Sequence, residues 1–234
     1  MSNSSLACLG QRNAVILRAT RLDADCTPST GSDDTWVTAA IVAMQTDLDV
    51  EDGTTYELKS ANNEFIVMDK DDDIVKRLTI SSLEIGAFDV EGFELISNGS
   101  VLTADTGTTY AGKHIGYAAE GPGTAHKNGI ALEMWVKTAD TAGRCGPAGT
   151  KPPYVRYVFP FLKLRPNGPG NFGNEVKTQT FVGWGAPNPS FGEGPYGDWP
   201  LTVPMPSTAP YAWFYSDGTD LPVAVCGYQF SGPS

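Results

Sequence analysis

Histidine is scarce in this chain of 234 residues, which holds only His114 and His126. Neither belongs to an HExxH pair or a paired-ligand pattern, so a histidine-based metal centre or triad has no framework. Both read as ordinary surface or loop histidines. No GxSxG elbow, Walker loop or dinucleotide glycine fingerprint is present. The cysteines, Cys8, Cys26, Cys145 and Cys226, are far apart and form no CxxC or Cys/His pattern. They read as scattered free thiols, with one long-range disulfide left open.

Two acidic stretches invite closer inspection. Asp69-Lys70-Asp71-Asp72-Asp73 starts like a calcium loop, with acids at the first, third and fifth places. It then places Ile74 where the loop needs glycine and Ile80 where it needs a bidentate glutamate. A solvated hairpin turn is the better reading. Asp47, Asp49 and Glu51 alternate with Leu48 and Val50. Period two puts the three acids on one face of a strand and the two apolar residues on the other, toward a core. A glycosidase needs an acid and a base held across a cleft, which one strand face does not supply. The residues therefore point to no enzyme, no cofactor and no metal.

A third stretch carries aromatic side chains instead. Thr178 to Pro200 begins like a strand and runs on through glycines and prolines, carrying Trp184, Phe191, Tyr196 and Trp199. Glycine and proline break regular structure, so the segment reads as a long loop, and loops lie on the surface. Two roles suit its rings: packing between subunits, where aromatic residues bury large area with little lost freedom, or folding back over their own domain's core.

The elements that must position these residues are mostly strands. Asn13–Leu22 reads as an apolar strand and Asp23–Asp34 as a polar loop. Trp36–Met44 suits a strand or a short helix, with the strand favoured because it leads into the alternation at Thr46–Glu51. Asp52-Gly53 signals a hairpin turn into Thr54–Leu58. Phe65–Met68, Ile74–Ile80, Ile130–Thr138 and Tyr154–Leu164 follow as further strands. Pro160 marks an edge or a bend in the last of these. Ala142–Pro153 reads as a loop. The best helix candidate is Phe88–Gly99, with Asp89 as cap, Asn98-Gly99 as a left-handed stop, and Phe93 and Ile96 facing a core. Gly92 inside it carries a propensity cost of about 1 kcal/mol. No repeat of fixed period is visible.

Composition, 41% hydrophobic and 18% charged, fits a globular chain, and the length suits one large all-β domain or two small units. The net charge of −11 is unevenly placed: residues 1–100 hold 18 acids against 7 bases, and residues 101–234 hold 9 of each. Such a protein repels nucleic-acid phosphates, since DNA binding needs a basic face. No apolar stretch is long enough to span a bilayer. The first residues show no basic segment leading into an apolar core. Unless a leader was removed before this numbering begins, export by a signal peptide is not expected.

Four stretches, in this order and spacing, resemble the major tail protein, or tail-tube protein, of long-tailed phages that infect actinobacteria. They are Arg18–Gly31, Asp47–Ile80, Asp89–Leu102, and the run from Ala131 through "YVRYVFPFLKL" to Pro200 with its aromatic close near Tyr211–Tyr215. The resemblance implies a mainly β fold, a tail-tube-like β-sandwich or barrel with one short helix and extended Gly/Pro-rich loops. It implies a single domain over 1–234, with an N-terminal strand and loop arm at 1–34 and a Gly/Pro-rich part at 165–234. It implies homohexameric rings stacked into a hollow tube that is assembled in the host cytoplasm and forms the virion tail. Its partners would be other copies of itself, then tape-measure, tail-terminator and tail-tip proteins. Genomic DNA would pass through it transiently, with no membrane insertion. In that setting Trp184, Phe191, Tyr196 and Trp199 are expected at a subunit interface. Asp47, Asp49 and Glu51 are expected to face the lumen, or otherwise to keep the outer surface soluble. The competing readings are a capsid decoration or tail-tip protein, and a carbohydrate-binding β-sandwich module.

Overall fold

A computed structural model describes residues 10–121, 129–139, 152–169 and 177–229. The fold is mainly β, as expected, with one helix among the described residues. The strands are β1 (Gly10–Arg21), β2 (Thr35–Thr38), β3 (Ile41–Glu51), β4 (Thr55–Lys59), β5 (Phe65–Lys70), β6 (Ile74–Ile85), β7 (Ser100–Thr103), β8 (His114–Ala118), β9 (Ile130–Ala139), β10 (Tyr154–Pro166), β11 (Gln179–Gly185) and β12 (Ala212–Ser216). Helix α1 spans Val90–Ser97. Eight strands form one antiparallel sheet in the order β2-β1-β9-β10-β11-β6-β3, with β12 added alongside β10. The β4-β5 and β7-β8 pairs are separate two-stranded sheets.

The long strands arise where apolar and β-branched residues run together, and β1, β9 and β10 form the middle of the sheet. Both of its faces are used. Leu17, Ala19, Leu132 and Phe159 point to one side, where they join Trp36, Phe93 and Ile96 in the main core. Ala131, Val158 and Phe214 point to the other side, against Phe191 and Met205. Pro160 lies inside the sheet, not at an edge: β10 pairs β12 up to Val158 and β11 from Leu162 onward. The missing N–H falls where the strand changes partners, at a shift in its register with β9.

The helix forms as its ends predict. The Asp89 carboxylate accepts from the amides of Glu91 and Gly92, and Asn98 closes the helix at φ 55°. The same carboxylate accepts from Trp36 Nε1 at 3.0 Å and from the amide of Gly227 at 2.7 Å. Gly92 is explained by packing: a Cβ there would lie 2.1 Å from Trp36 Cε2. The loss in helix propensity lets the helix lie directly on the indole.

Four expectations are corrected in residues 36–85. The apolar run from Trp36 is two strands, β2 and β3, broken at Ala39-Ala40. Asp52-Gly53 does not close a hairpin, because β3 pairs with β6 and β4 pairs with β5. The chain reverses at Ser60–Glu64, where the Ser60 amide donates to Glu64 O at 2.7 Å and Asn63 adopts φ 64°. Beyond Leu78, where β6 leaves β11, residues 49–77 thus continue as a two-stranded arm with a joint in the middle. Residues 52–54 face residues 71–73 across that joint: the Asp71 amide donates to Thr54 O at 3.0 Å, and the Gly53 amide donates to Asp73 Oδ1 at 2.9 Å. Gly53 is required there, since a Cβ would sit 1.8 Å from Asp71 O. The acidic run 69–73 is therefore the end of β5 plus half of the joint, not a turn.

Leu48 and Val50 are the fourth correction. Leu48 lies opposite Leu78 and shares its face, as the alternation requires. Leu78 is in the core, but Leu48 and Val50 are each 44% exposed. The strand has by then run past the body of the domain, and none of the described residues encloses its apolar face.

Candidate functional site

The four aromatic residues of the 178–200 stretch part company in the structure. Phe191 is 3% exposed, packed with Val158, Met205 and Phe214. Trp199 is half-buried, edge-on to Phe191 and Phe214 at 6.2 and 5.3 Å, and its Nε1 donates to Val203 O at 2.9 Å. Tyr196 is half-buried as well, with Arg18 Cζ 3.5 Å from its ring centroid. Its hydroxyl meets Thr20 Oγ1 and Thr35 Oγ1. These three fold back on their own domain, so the expected subunit interface does not describe them. Trp184 differs. It is on β11, 38% exposed, tilted on Phe161 at 5.6 Å. The loop begins at buried Asn188, whose side-chain amide donates to Cys26 O and Pro160 O at 2.8 and 3.1 Å.

What this loop closes over is a buried ionic cluster. Arg18 on β1 lies opposite Glu133 on β9, and Arg156 on β10 lies opposite Trp135. Arg18 Nε reaches Glu133 Oε2 at 2.5 Å, and Arg156 Nη2 donates to Glu133 Oε1. Arg18, Glu133 and Arg156 are all at least 95% buried. Two carboxylates arrive from the loops above. Asp198 bonds both arginines at 2.9 Å, and Asp220 bonds Arg156 at 2.8 Å. Trp135 lies beneath, 5.2 and 4.9 Å from the two guanidinium carbons. Arg18 is thus held between Trp135 and Tyr196.

Electrostatics follow from that geometry. Burial pushes the Glu133 carboxyl upward, but Arg18 and Arg156 overcome it and hold it at about 2. Burial also works against the charged form of each arginine, and Glu133 and Asp198 raise both above the ordinary value. Glu133 and the two arginines stay ionised at neutral pH. The cluster fastens the loops that carry Asp198 and Asp220 to the sheet. On the helix side, burial and the bond to Glu94 push the Tyr228 hydroxyl upward. Tyr228 and Gln229 lie along the outer edge of β2, with Gln229 N donating to Thr35 O at 2.8 Å.

Sequence reasoning missed this cluster. Its signal is a charge in the apolar part of each of three strands, Arg18 in "NAVILRATRL", Glu133 in "IALEMWVKT" and Arg156 in "YVRYVFPFLKL". One charge on a strand's buried face demands a partner. The partners lie as far as 180 positions away in sequence, as for Arg18 and Asp198, so their identity waits for the fold.

Asp47 and Glu51 are exposed and Asp49 is half-buried, and each has a partner on β6. Asp47 accepts from Ser81 Oγ at 2.8 Å, Asp49 from Arg77 Nε at 3.0 Å, and Glu51 pairs with Lys76 at 3.1 Å. The other candidates sit apart. His114 binds Glu91 through Nδ1 on the surface, and His126, Cys8 and Cys145 lie outside the described residues. Cys26 and Cys226 are free thiols. Among the described residues no group of three or more His, Cys, Asp or Glu is placed to hold a metal.

The most unusual surface is the outer arm. Every residue of β4 and β5 is exposed, yet six of the eleven are Tyr56, Leu58, Phe65, Ile66, Val67 and Met68. Exposure runs from 48% at Val67 to 69% at Met68. Cross-strand pairing puts Tyr56, Leu58 and Val67 on one face with Asp69, and Met68 and Phe65 on the other with Glu57 and Lys59. The stripe continues inward through Val50 and Val75. A two-stranded hairpin is marginally stable alone in water, and one with apolar side chains on both faces needs something to cover it. No family model matches this chain, and no curated protein matches it either.

Proposed function

We propose that this chain is a structural subunit that assembles with copies of itself, without catalysis, into the stacked rings of a phage tail tube. The reading joins the resemblance described above to one observation, the exposed arm. Its apolar side chains on both faces of a bare hairpin call for a partner surface, and repeated copies of the chain supply one in any assembly. Other copies are its main partners, in hexameric rings on the pattern of the resembling family. Tape-measure, terminator and tip proteins come next, with assembly in the host cytoplasm into the virion tail.

The charge is compatible with DNA transit. A wall carrying excess negative charge repels phosphates and so prevents trapping of the passing genome. Asp47, Asp49 and Glu51 remain the proposed lumen residues, although Arg77 and Lys76 offset part of their charge. Reversing the three acids to lysine is expected to slow ejection and make it salt-sensitive, and unchanged ejection kinetics would remove them from the lumen.

Negative-stain electron microscopy across a concentration series tests the reading. The full chain is expected to give rings or tubes of uniform diameter. A chain in which a short Gly-Ser link replaces residues 53–72 is expected to stay dispersed. A full chain that stays monomeric throughout, with or without added tail tips as seeds, overturns it. A second reading, a glycan-binding module, is favoured by Trp213 at 51% and Tyr211 at 37% exposure near Tyr157. Glycan binding by the monomer would support that reading instead.

A further inference from the structure

We infer that the arm of one copy docks in the groove between α1, β8 and the outer end of β10 of a second copy, an inference that rests on the self-assembly proposed above. The groove encloses about 910 Å³ and is lined by Phe88, Val90, Phe93, Ile115, Arg165 and Lys177, among others. Its apolar floor is open: Phe88 is 53% exposed and Ile115 is 56% exposed. Among the described residues its charged lining is Arg165 and Lys177 together with Glu120.

The arm has the complementary character. From Asp52 to Asp73 it carries seven carboxylates and two lysines. The two faces of the hairpin are not equivalent. Lys59 and Lys70 share the face of Glu57 and Met68, and would meet the groove's cations unfavourably. The opposite face holds Tyr56, Leu58 and Val67 with Asp69 at its inner end and no lysine. Beyond Asp69 come Asp71 and Asp72 at the joint. That face docks: Leu58 and Val67 against Phe88 and Ile115, and Asp69 with the joint acids against Arg165 and Lys177. The contact joins two different surfaces of the chain, so each copy both gives an arm and receives one. It also absorbs the acidic run 69–73, which neither a calcium site nor a turn accounts for.

Charge exchange with rescue tests this, read by sedimentation velocity and electron microscopy on the full chain. The double variant Arg165→Glu, Lys177→Glu is expected to self-associate about 100-fold more weakly, because it sets like charges against each other. Adding Asp69→Lys and Asp71→Lys to the same chain is expected to restore association. Misfolding of the first variant would not be repaired by changes on the distant arm, so rescue separates docking from stability. With the four native cysteines changed to serine, Leu58→Cys together with Ile115→Cys is expected to cross-link between copies on oxidation. If the first variant assembles like the wild type, or no cross-link forms in assembled tubes, the groove is not the receiver while self-assembly stands. If the wild type itself never associates, both readings fall.

Discussion

Replacing Glu133 with glutamine removes the fully buried carboxylate of the two that Arg18 and Arg156 share. At neutral pH the wild-type group is ionised, held at about 2 instead of the ordinary 4.5. That depression corresponds to about 3 kcal/mol of stabilisation, of the order found when a buried ion pair loses one partner. The sign follows from the direction. A carboxyl depressed on folding contributes fully above about 4.5, and its contribution is lost as pH falls toward about 2. Urea unfolding of both proteins at pH 7 is therefore expected to show Glu133→Gln less stable by about 3 kcal/mol, with a melting temperature lower by roughly 10 °C. At pH 2.5 the gap should shrink to about 1 kcal/mol, since the wild type has by then lost most of its advantage. A gap below about 0.5 kcal/mol at pH 7 would show that the cluster does not hold the sheet and loop together. An equal gap at both pH values would show that the loss is one of shape, not of charge.

Other substitutions separate the parts of the fold. Gly92→Ala raises helix propensity but drives a methyl into Trp36, and is expected to cost about 1–3 kcal/mol in urea unfolding. Asp89→Ala removes the helix cap and the partner of Trp36 Nε1 and Gly227 N together, with an expected loss of about 2 kcal/mol by the same assay. Phe191→Ala is expected to destabilise the isolated subunit by about 3–5 kcal/mol, while half-exposed Trp184→Ala costs about 1 kcal/mol or less. Equal effects of those two on the monomer melting curve would contradict the inward packing of the loop.

Much of the sheet was legible because its strands are long apolar runs that decide their own conformation. The helix was legible from both ends, since Asp89 and Asn98 act through atoms within one turn. What stayed hidden depends on contacts distant in sequence. Asp52-Gly53 has the composition of a hairpin turn, yet the real reversal is at Ser60–Glu64, because pairing of β3 with β6 decides which break becomes a joint. Leu48 and Val50 were placed on the correct face, but alternation says nothing about where the body of the domain ends. The loop aromatics were legible as a group needing burial. Whether they would find it at home or on a neighbour was settled by the Asp198 and Tyr196 contacts with Arg18. The hydrophobic pattern located the arm's residues and left open that they form a projection.

The two edges of the main sheet are unequal. The chain's own Tyr228 and Gln229 lie along β2, while β3 has β6 on one side only among the described residues. A bare edge strand of eleven residues is a template for pairing with itself. Two copies joined edge to edge and antiparallel would form a closed pair and stop growing. With such a pairing centred at Asp47, Asp47 meets its own copy; centred at Leu48, it meets Asp49; centred at Asp49, it meets Glu51. Each places like charges directly opposite, which destabilises the ladder. The acidic row thus sets like charges against each other in every one of these pairings and disfavours the closed dimer that the open edge would otherwise invite.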